Sequence, residues 1–391
     1  MNDRIASTNY TILPLSDDLV KAHPARVKQV LTHETRMRTP VVVASSADVL
    51  KDLMDEFVLV DVRNVSDRYD PSEVCDMTSE EAFHLAVDQI GDSNLRSLLE
   101  SDSKTPVLGR LSGIHGHTFG FDGIDAHAGI LAAALTRIGA SSDHIRVKVF
   151  GELPGVFSAD PSIVEPGYTP EMRDGFQHVR RQKRMSFREA LELSTLNGPR
   201  AFTSGGLMGL DQRGIQLQVR SIYDFRDKGT RVSEQIESKG VQFISGKNNQ
   251  ILYTVSSARM AHSSGIASLV LKACEELDIS VTATFGGGSS FPFTIDADHP
   301  QKEELESRLD RIGTVMSQPG VALVSCIGNG MKQQRGLSRN IAGVLDRAGI
   351  NVEEITTSAD RNYTLVVQEA DYELAIVALH RELIEGEEVG R

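Results

Sequence analysis

An α/β domain with a mostly parallel sheet, followed by two copies of a small α+β unit, is the fold this sequence predicts. Three observations carry it. Residues 252–367 hold one pattern written twice, with corresponding positions 71 apart: Met260 and Met331, Gly265 and Gly336, Ile279 and Ile350, Val281 and Val352. Upstream of the repeat, apolar β-branched runs alternate with helical stretches, as in strands joined by crossover helices. The chain has 391 residues, more than one core organises, with 40% hydrophobic and 24% charged residues, an ordinary globular composition.

The first part reads as follows. Residues 10–18 open the chain, a helical stretch covers 24–32, and apolar strands lie at 41–44 and 57–62. A helix over 79–90 carries its own capping pair, Thr78 and Glu81. A strand at 106–109 runs into a glycine-rich segment, 113–125, which enters a helix over 126–138. Glycines ahead of a helix N-terminus let the backbone approach a phosphate. No Walker lysine follows, and the spacing is not the dinucleotide fingerprint. A strand at 145–150, a helix over 186–197 opened by Ser186 with Glu189, and a strand at 215–220 complete the alternation.

Each repeat reads strand, loop, helix, strand, strand, helix. The first copy places strands at 252–255, 281–285 and 290–296, a helix over 266–277 and a closing helix over 301–316. The second places strands at 323–326, 352–357 and 363–368, a helix over 337–345 ended at Gly349, and a closing helix over 372–385. Two copies cannot bury the continuous core of a solenoid, so a tandem of βαββαβ units is the better reading. The expected boundaries are 1–236, 237–316 and 317–391.

Net charge is −13, which argues against a nucleic-acid or anionic-membrane binder. The basic run 178–184 is the exception and reads as a solvated face. Cys75, Cys274 and Cys326 show no metal spacing and no even framework. Cys274 and Cys326 sit at apolar positions of a helix and a strand, as buried, inert thiols do. No signal-like or membrane-length apolar stretch is present, so the expected location is cytoplasmic.

The repeat, with Asn249-Gln250-Ile251-Leu252 and Met260-Ala261-His262-Ser263-Ser264-Gly265, resembles the tandem ACT domains of aspartokinases, and these two stretches are close to the lysine-sensitive type. Residues 151–161 resemble the same family's segment over the nucleotide, with Gly155, Val156, Asp160 and Pro161 matching. Gly198-Pro199-Arg200 and Gly229-Thr230 fit as well. The resemblance implies an amino-acid-kinase domain, trimmed near its start, followed by two ACT-like units. The second unit would take its first strand from residues 241–245. It also implies ATP-dependent phosphorylation of the aspartate side-chain carboxylate, the first step toward the aspartate-derived amino acids. ATP and magnesium would be exchangeable ligands, with no tightly bound cofactor, and the ACT units would form a homodimer. By the same resemblance, Gly120, Gly123, Gly155 and Asp160 would meet nucleotide, and Asp125 and Arg200 are the catalytic candidates. A small amino acid would sit at Met260, His262, Ser263, Gly265, Ser280, Val281 and Thr282, its carboxylate on helix amides.

The departures from the family are informative. Where an active aspartokinase carries Lys-Phe-Gly-Gly-Thr-Ser, this chain has Pro14-Leu15-Ser16-Asp17-Asp18-Leu19, without cation or glycine. Phe121 replaces the arginine that clamps the substrate carboxylate, and Arg200 stands for a lysine, keeping only the charge. Val43 and Val58 are too close together to hold the family's substrate-binding helical region. Thr282 and Gly288 stand where a lysine sensor offers acids, which disfavours lysine as effector. Phosphoryl transfer rests on positioning and charge stabilisation, and losing one such donor typically costs about a hundred- to a thousandfold. The implied phosphotransfer is therefore weakened, altered or lost. Two alternatives stay open. One is a non-catalytic amino-acid-binding regulator of a protein partner, a pseudoenzyme; the other is a diverged enzyme acting on another amino acid or carboxylate. His115, His117, Asp122, Asp125 and His127 also crowd one stretch, either as ligands for a zinc-like metal or as hydrogen-bonding loop residues.

Overall fold

The computed structural model describes residues 2–37, 39–44, 57–60, 99, 105–109, 124–169, 172, 174–196, 202–224, 226–234, 239–256, 265–286, 290–358 and 361–386. They fall into two compact units.

The first unit comprises residues 1–156, 181–194 and 199–237. Its strands are β1 (Tyr10–Leu15), β2 (Thr39–Ala44), β3 (Phe57–Val60), β4 (Thr105–Gly109), β5 (Ile145–Gly151), β6 (Arg184–Ser186), β7 (Gln216–Ser221) and β8 (Thr230–Ser233). Helices α1 (Asp17–Ala22), α2 (Pro24–Met37), α3 (Ile124–Arg137) and α4 (Phe187–Ser194) lie among them. The sheet order is β3-β4-β2-β1-β5-β7-β8-β6. Every pairing is parallel except β7 with β8, as the alternation predicts. A strand covered on both faces reads as an unbroken apolar run, and β1 is buried along its whole length. Leu13 and Leu15 pack on Val27, Val30 and Leu31 of α2.

Two polar features organise this unit. At the start of α4 the Ser186 N–H and hydroxyl donate to Glu189 Oε2 (2.8 Å each), and the Glu189 N–H donates back to Ser186 Oγ at 3.2 Å. This is the reciprocal capping the sequence predicts, with the helix ending at Ser194. Beneath the sheet, buried Glu34 of α2 receives Lys148 Nζ at 2.7 Å on both oxygens, and Arg220 Nη1 lies 3.8 Å away.

The second unit comprises residues 157–180, 195–198 and 238–391. Its elements are β9 (Gly240–Ser256), α5 (Ile266–Glu276), β10 (Val281–Thr284), β11 (Ser290–Asp296), α6 (Lys302–Leu309), β12 (Thr314–Asn329), α7 (Leu337–Arg347), β13 (Glu354–Ser358), β14 (Asn362–Gln368) and α8 (Tyr372–His380). The strands form one antiparallel sheet, β10-β11-β9-β12-β14-β13. Strand β9 serves both repeats. Its end carries the first copy's opening strand beside β11, and its beginning pairs Val241 with Gly328 and Ile244 with Cys326 of the second copy. The hand-over falls near Asn249, whose φ of 55° is left-handed, a conformation asparagine tolerates. Ile251, Tyr253 and Val255 bury against Val270, Cys274 and Leu277 from α5 and the turn after it, with Leu305 and Leu309 of α6 beside them.

One expectation needs correcting. The closing helix of the first copy does not run to residue 316; it stops at Leu309, and β12 begins at Thr314. Thr314 and Val315 pair with Ser256 and Val255, so tertiary pairing of β-branched residues overrides helical continuation. The predicted helix over 79–90, with Thr78 and Glu81, lies outside the described residues. Cys274 and Cys326 are free and buried; burial pushes their thiols up to about 11 and about 12, as expected of inert cysteines.

Candidate functional site

In the first unit the chain leaves β1 toward β2 and later returns to β5 on the other side of β1. Such a switch point opens a crevice at the carboxyl ends of the strands, where α/β sheets bind ligands. Here β1 passes into α1 through one residue. Ser16 caps that helix, its hydroxyl accepting the Leu19 N–H at 3.3 Å, and Asp17 and Asp18 occupy the first turn. The helix end that the Pro14–Leu19 stretch supplies is thus capped by its own side chain and preceded by no cation.

Two strand exits and the end of α1 meet beside it. His23 follows α1, Glu152 follows β5 and Tyr223 follows β7. His23 Nε2 lies 3.2 Å from Glu152 Oε1 and 3.2 Å from the Tyr223 hydroxyl. The two rings pack edge to face at 5.1 Å. Ser221 Oγ donates to the Glu152 carbonyl and accepts the Tyr223 N–H, which fixes both exits. The sequence offers no signal for this trio, since its members stand far apart in the chain.

In the second unit a cavity of about 310 Å³ lies within the second repeat, large enough for a small metabolite. Met331 and Leu337 form its apolar wall; Lys332, Ser338, Thr357 and Asn362 bring polar groups. Gly336 starts α7 in the left-handed region at φ 81°, with no side chain capping the helix and no acid in its first turn. Uncapped amides of a first turn attract carboxylates. Behind the cavity, Thr364 Oγ1 donates to Asn362 Oδ1 at 2.6 Å and pairs with Ser325 Oγ at 2.7 Å, holding the Asn362 amide in place.

Of the expected nucleotide residues, Gly155 lies in the first unit at φ 139°, where an added Cβ would meet Thr230 Oγ1 at 2.6 Å. Asp160 lies in the second unit and caps the short helix Pro161–Val164, accepting the Ser162 N–H at 2.8 Å and its hydroxyl at 2.7 Å. Gly120, Gly123, Arg200, His115, His117 and Asp122 are outside the described residues; Asp125 and His127 are on α3, their side chains not described. Among the described residues no group of histidine, cysteine and carboxylate side chains could hold a metal. Of the expected effector residues, Met260, His262 and Ser263 are also outside the described set. Gly265 caps α5 at φ 128° without a side-chain bond, Ser280 is exposed, and Val281 and Thr282 are half-buried at the start of β10. The cavity occurs at the equivalent register of the other copy, where Met331 and Gly336 stand for Met260 and Gly265. The basic run is engaged in the fold: His178 meets Glu385, and Arg181 meets Asp227 at 2.6 Å.

Comparison with known proteins gives consistent answers. The ACT domain family matches residues 324–383. The lysine-sensitive aspartokinase 3 of Escherichia coli is 28% identical over 277 residues, covering 68% of this chain and 57% of that protein. The chain thus spans less than two thirds of that relative's length. The crystal structure of E. coli aspartokinase III with aspartate and ADP superposes with a TM-score of 0.67 at 24% identity, over 86% of this chain and 71% of that one. Clostridium acetobutylicum aspartate kinase superposes with a TM-score of 0.68 at 16% identity, over 96% and 99%. The parallel sheet with its β1/β5 switch point, the shared antiparallel sheet and these likenesses together give the chain an amino-acid-kinase fold followed by ACT domains, similar to that of the aspartokinases.

Proposed function

We propose that this chain is an aspartokinase homologue in which phosphorylation of aspartate is weakened or lost and binding of a small amino acid by the ACT unit is retained. The observation that carries the reading is the exit of β1, where Ser16 caps α1 and two aspartates follow. A loop that cradles a triphosphate needs unoccupied amides and a cation; this one has no cation and gives the Leu19 amide to its own Ser16. Nucleotide binding is supported by the relative crystallised with ADP; magnesium, contacts at Gly155 or Asp160, and Asp125 and Arg200 as catalytic candidates are carried over from the sequence resemblance as part of the proposal.

The amino acid's carboxylate would rest on the first turn of α7 beside Lys332, and its side chain on Met331 and Leu337. No carboxylate lines the cavity among the described residues, so a ligand with a side-chain ammonium is disfavoured. We place the protein in the cytoplasm as a homodimer; among the described residues no helix is long and apolar enough to cross a membrane. The test uses the purified chain with ATP and magnesium, scanned against the amino acids for ADP release and for thermal shift. The expected result is a shift with a neutral amino acid and no aspartate-dependent turnover. Turnover with aspartate at the roughly 1–100 s⁻¹ usual for kinases would overturn the reading.

A second reading, a diverged enzyme acting on another carboxylate, is favoured by the His23, Glu152 and Tyr223 trio. It places a titratable group where the family's loop is missing. ADP release with a carboxylate other than aspartate, abolished in His23→Ala, would select it.

A further inference from the structure

The second unit contains a buried polar junction that the proposed function does not use. Ser158 and His380, both fully buried, are joined by a bond of 2.8 Å between Ser158 Oγ and His380 Nε2. His380 Nδ1 lies 3.2 Å from Glu385 Oε1, and His178 Nδ1 lies 3.1 Å from Glu385 Oε2. The Arg180 N–H donates to Ser158 Oγ at 2.9 Å. Serine, histidine and acid in this order resemble a nucleophile relay, yet neither Ser158 nor His380 has surface for a substrate to reach. The junction instead fastens residues 157–180 to the end of α8 and the π-helical turn Arg381–Glu385 that continues it. Elsewhere that segment is closed on itself by buried Glu165, which accepts the N–H groups of Gln177, His178 and Val179 at 2.7, 2.9 and 3.1 Å.

The hydrogen bonds run in one direction. A carboxylate accepts only, so His380 carries its proton on Nδ1 toward Glu385, which leaves Nε2 to accept from the Ser158 hydroxyl. Ser158 Oγ in turn accepts from Arg180. A second proton, on Nε2, reverses the serine bond and strands the hydroxyl hydrogen in a site without water access. The charged groups facing the ring are Glu385 from the C-terminal turn and Arg180 and His178 from the segment. The last two oppose a positive ring.

We propose that this junction is an acid-released latch: neutral His380 holds residues 157–180 against the C-terminal helix, and protonation of His380 frees them. Burial, outweighing the attraction of Glu385, keeps the His380 pKa below the usual 6.5. A folded pKa below the unfolded one makes the latch complete above pH ~6.5 and weakens it as pH falls through the folded value. Glu165 and Glu385 are also displaced from their ordinary value. Burial raises each, but hydrogen bonds outweigh it and leave both below the ordinary 4.5.

The test is amide hydrogen exchange of the full chain from pH 8 to pH 5, corrected for intrinsic rates, read at Arg180 and its neighbours. Protection of residues 157–180 should fall with a midpoint below 6.5, by up to about tenfold for each pH unit between 6.5 and the folded pKa, and level off below it. His380→Gln should abolish the pH dependence, and His178→Gln should preserve it. Ser158→Ala keeps His380 but removes the hydroxyl that favours the neutral ring, so its midpoint should move to higher pH. Should His380→Gln fail to fold, the Ser158→Ala comparison decides alone. Protection that is flat between pH 8 and 5, a midpoint unmoved in Ser158→Ala, or pH dependence surviving in His380→Gln would each overturn the latch.

Discussion

Replacing Gly155 by alanine tests what the glycine is for. The Thr230 side chain joins three segments beside it: Oγ1 accepts the Val156 N–H at 2.8 Å and donates to the Gln182 carbonyl at 2.5 Å. A Cβ at 155 would lie 2.6 Å from that oxygen and 3.2 Å from the Thr230 nitrogen. Rotating Thr230 away would break both bonds, so the methyl group has no cheap exit. The backbone at φ 139° adds strain of about 1–3 kcal/mol for a residue with a side chain, and overpacking adds about 1–3 kcal/mol. The expected loss is about 2–5 kcal/mol, a large share of the roughly 5–15 kcal/mol of a folded domain. Thr230→Ala alone should cost about 1–3 kcal/mol by leaving the Val156 N–H unpaired. Part of the clash vanishes in the Thr230→Ala background, so the double variant should cost about 1–2 kcal/mol less than the sum of the singles. Urea unfolding of the four proteins measures this. Additivity within about 0.5 kcal/mol, or a Gly155→Ala protein as stable as its parent, would refute the packing role.

Two other predictions concern buried groups. Glu34→Leu strands Lys148 and Arg220 without their shared anion and should destabilise the first unit by about 3–5 kcal/mol; adding Lys148→Met should recover part of that loss, by the same urea assay. At pH 8, where thiols of about 11 and about 12 stay protonated, Cys274 and Cys326 should resist iodoacetamide in the native protein and react once it is unfolded, as mass spectrometry of the two peptides will show.

The repeat was legible because identical chemistry recurs at fixed spacing, and the strands of its second half fall within a residue or two of expectation. The continuity of β9 was not. Gly246-Lys247-Asn248-Asn249 has the composition of a turn, yet the strand runs through it, with Asn249 adopting the left-handed backbone a turn would need. The start of β12 was hidden for a different reason. Residues 314–319 carry no clear alternation, and their strand state comes from β9 alongside. The described cavity lies in the second copy, while the resemblance points to the first, whose loop residues 257–264 are outside the described residues. Ser158, His178, His380 and Glu385 gave no signal at all, since Ser158 and His380 stand 222 residues apart.

The two helix starts that matter here are in opposite states. At α1, Ser16 takes one of the first-turn amides and Asp18 supplies negative charge at the positive end of the dipole. Both effects stabilise the helix and both remove its capacity to hold an anion. At α7, Gly336 contributes no side chain, the first turn carries no acid, and a cavity opens beside it with Lys332 on its wall. A helix without its own cap is less stable by about 0.5–2 kcal/mol than one with a good cap, so an uncapped start beside a cavity is a place where a bound carboxylate stabilises the fold. Within one chain, the helix start after β1 is capped by its own serine, while the start of α7 beside the cavity carries no side-chain cap. That asymmetry is the physical reason to look for ligand-dependent stability in the second unit before looking for turnover in the first.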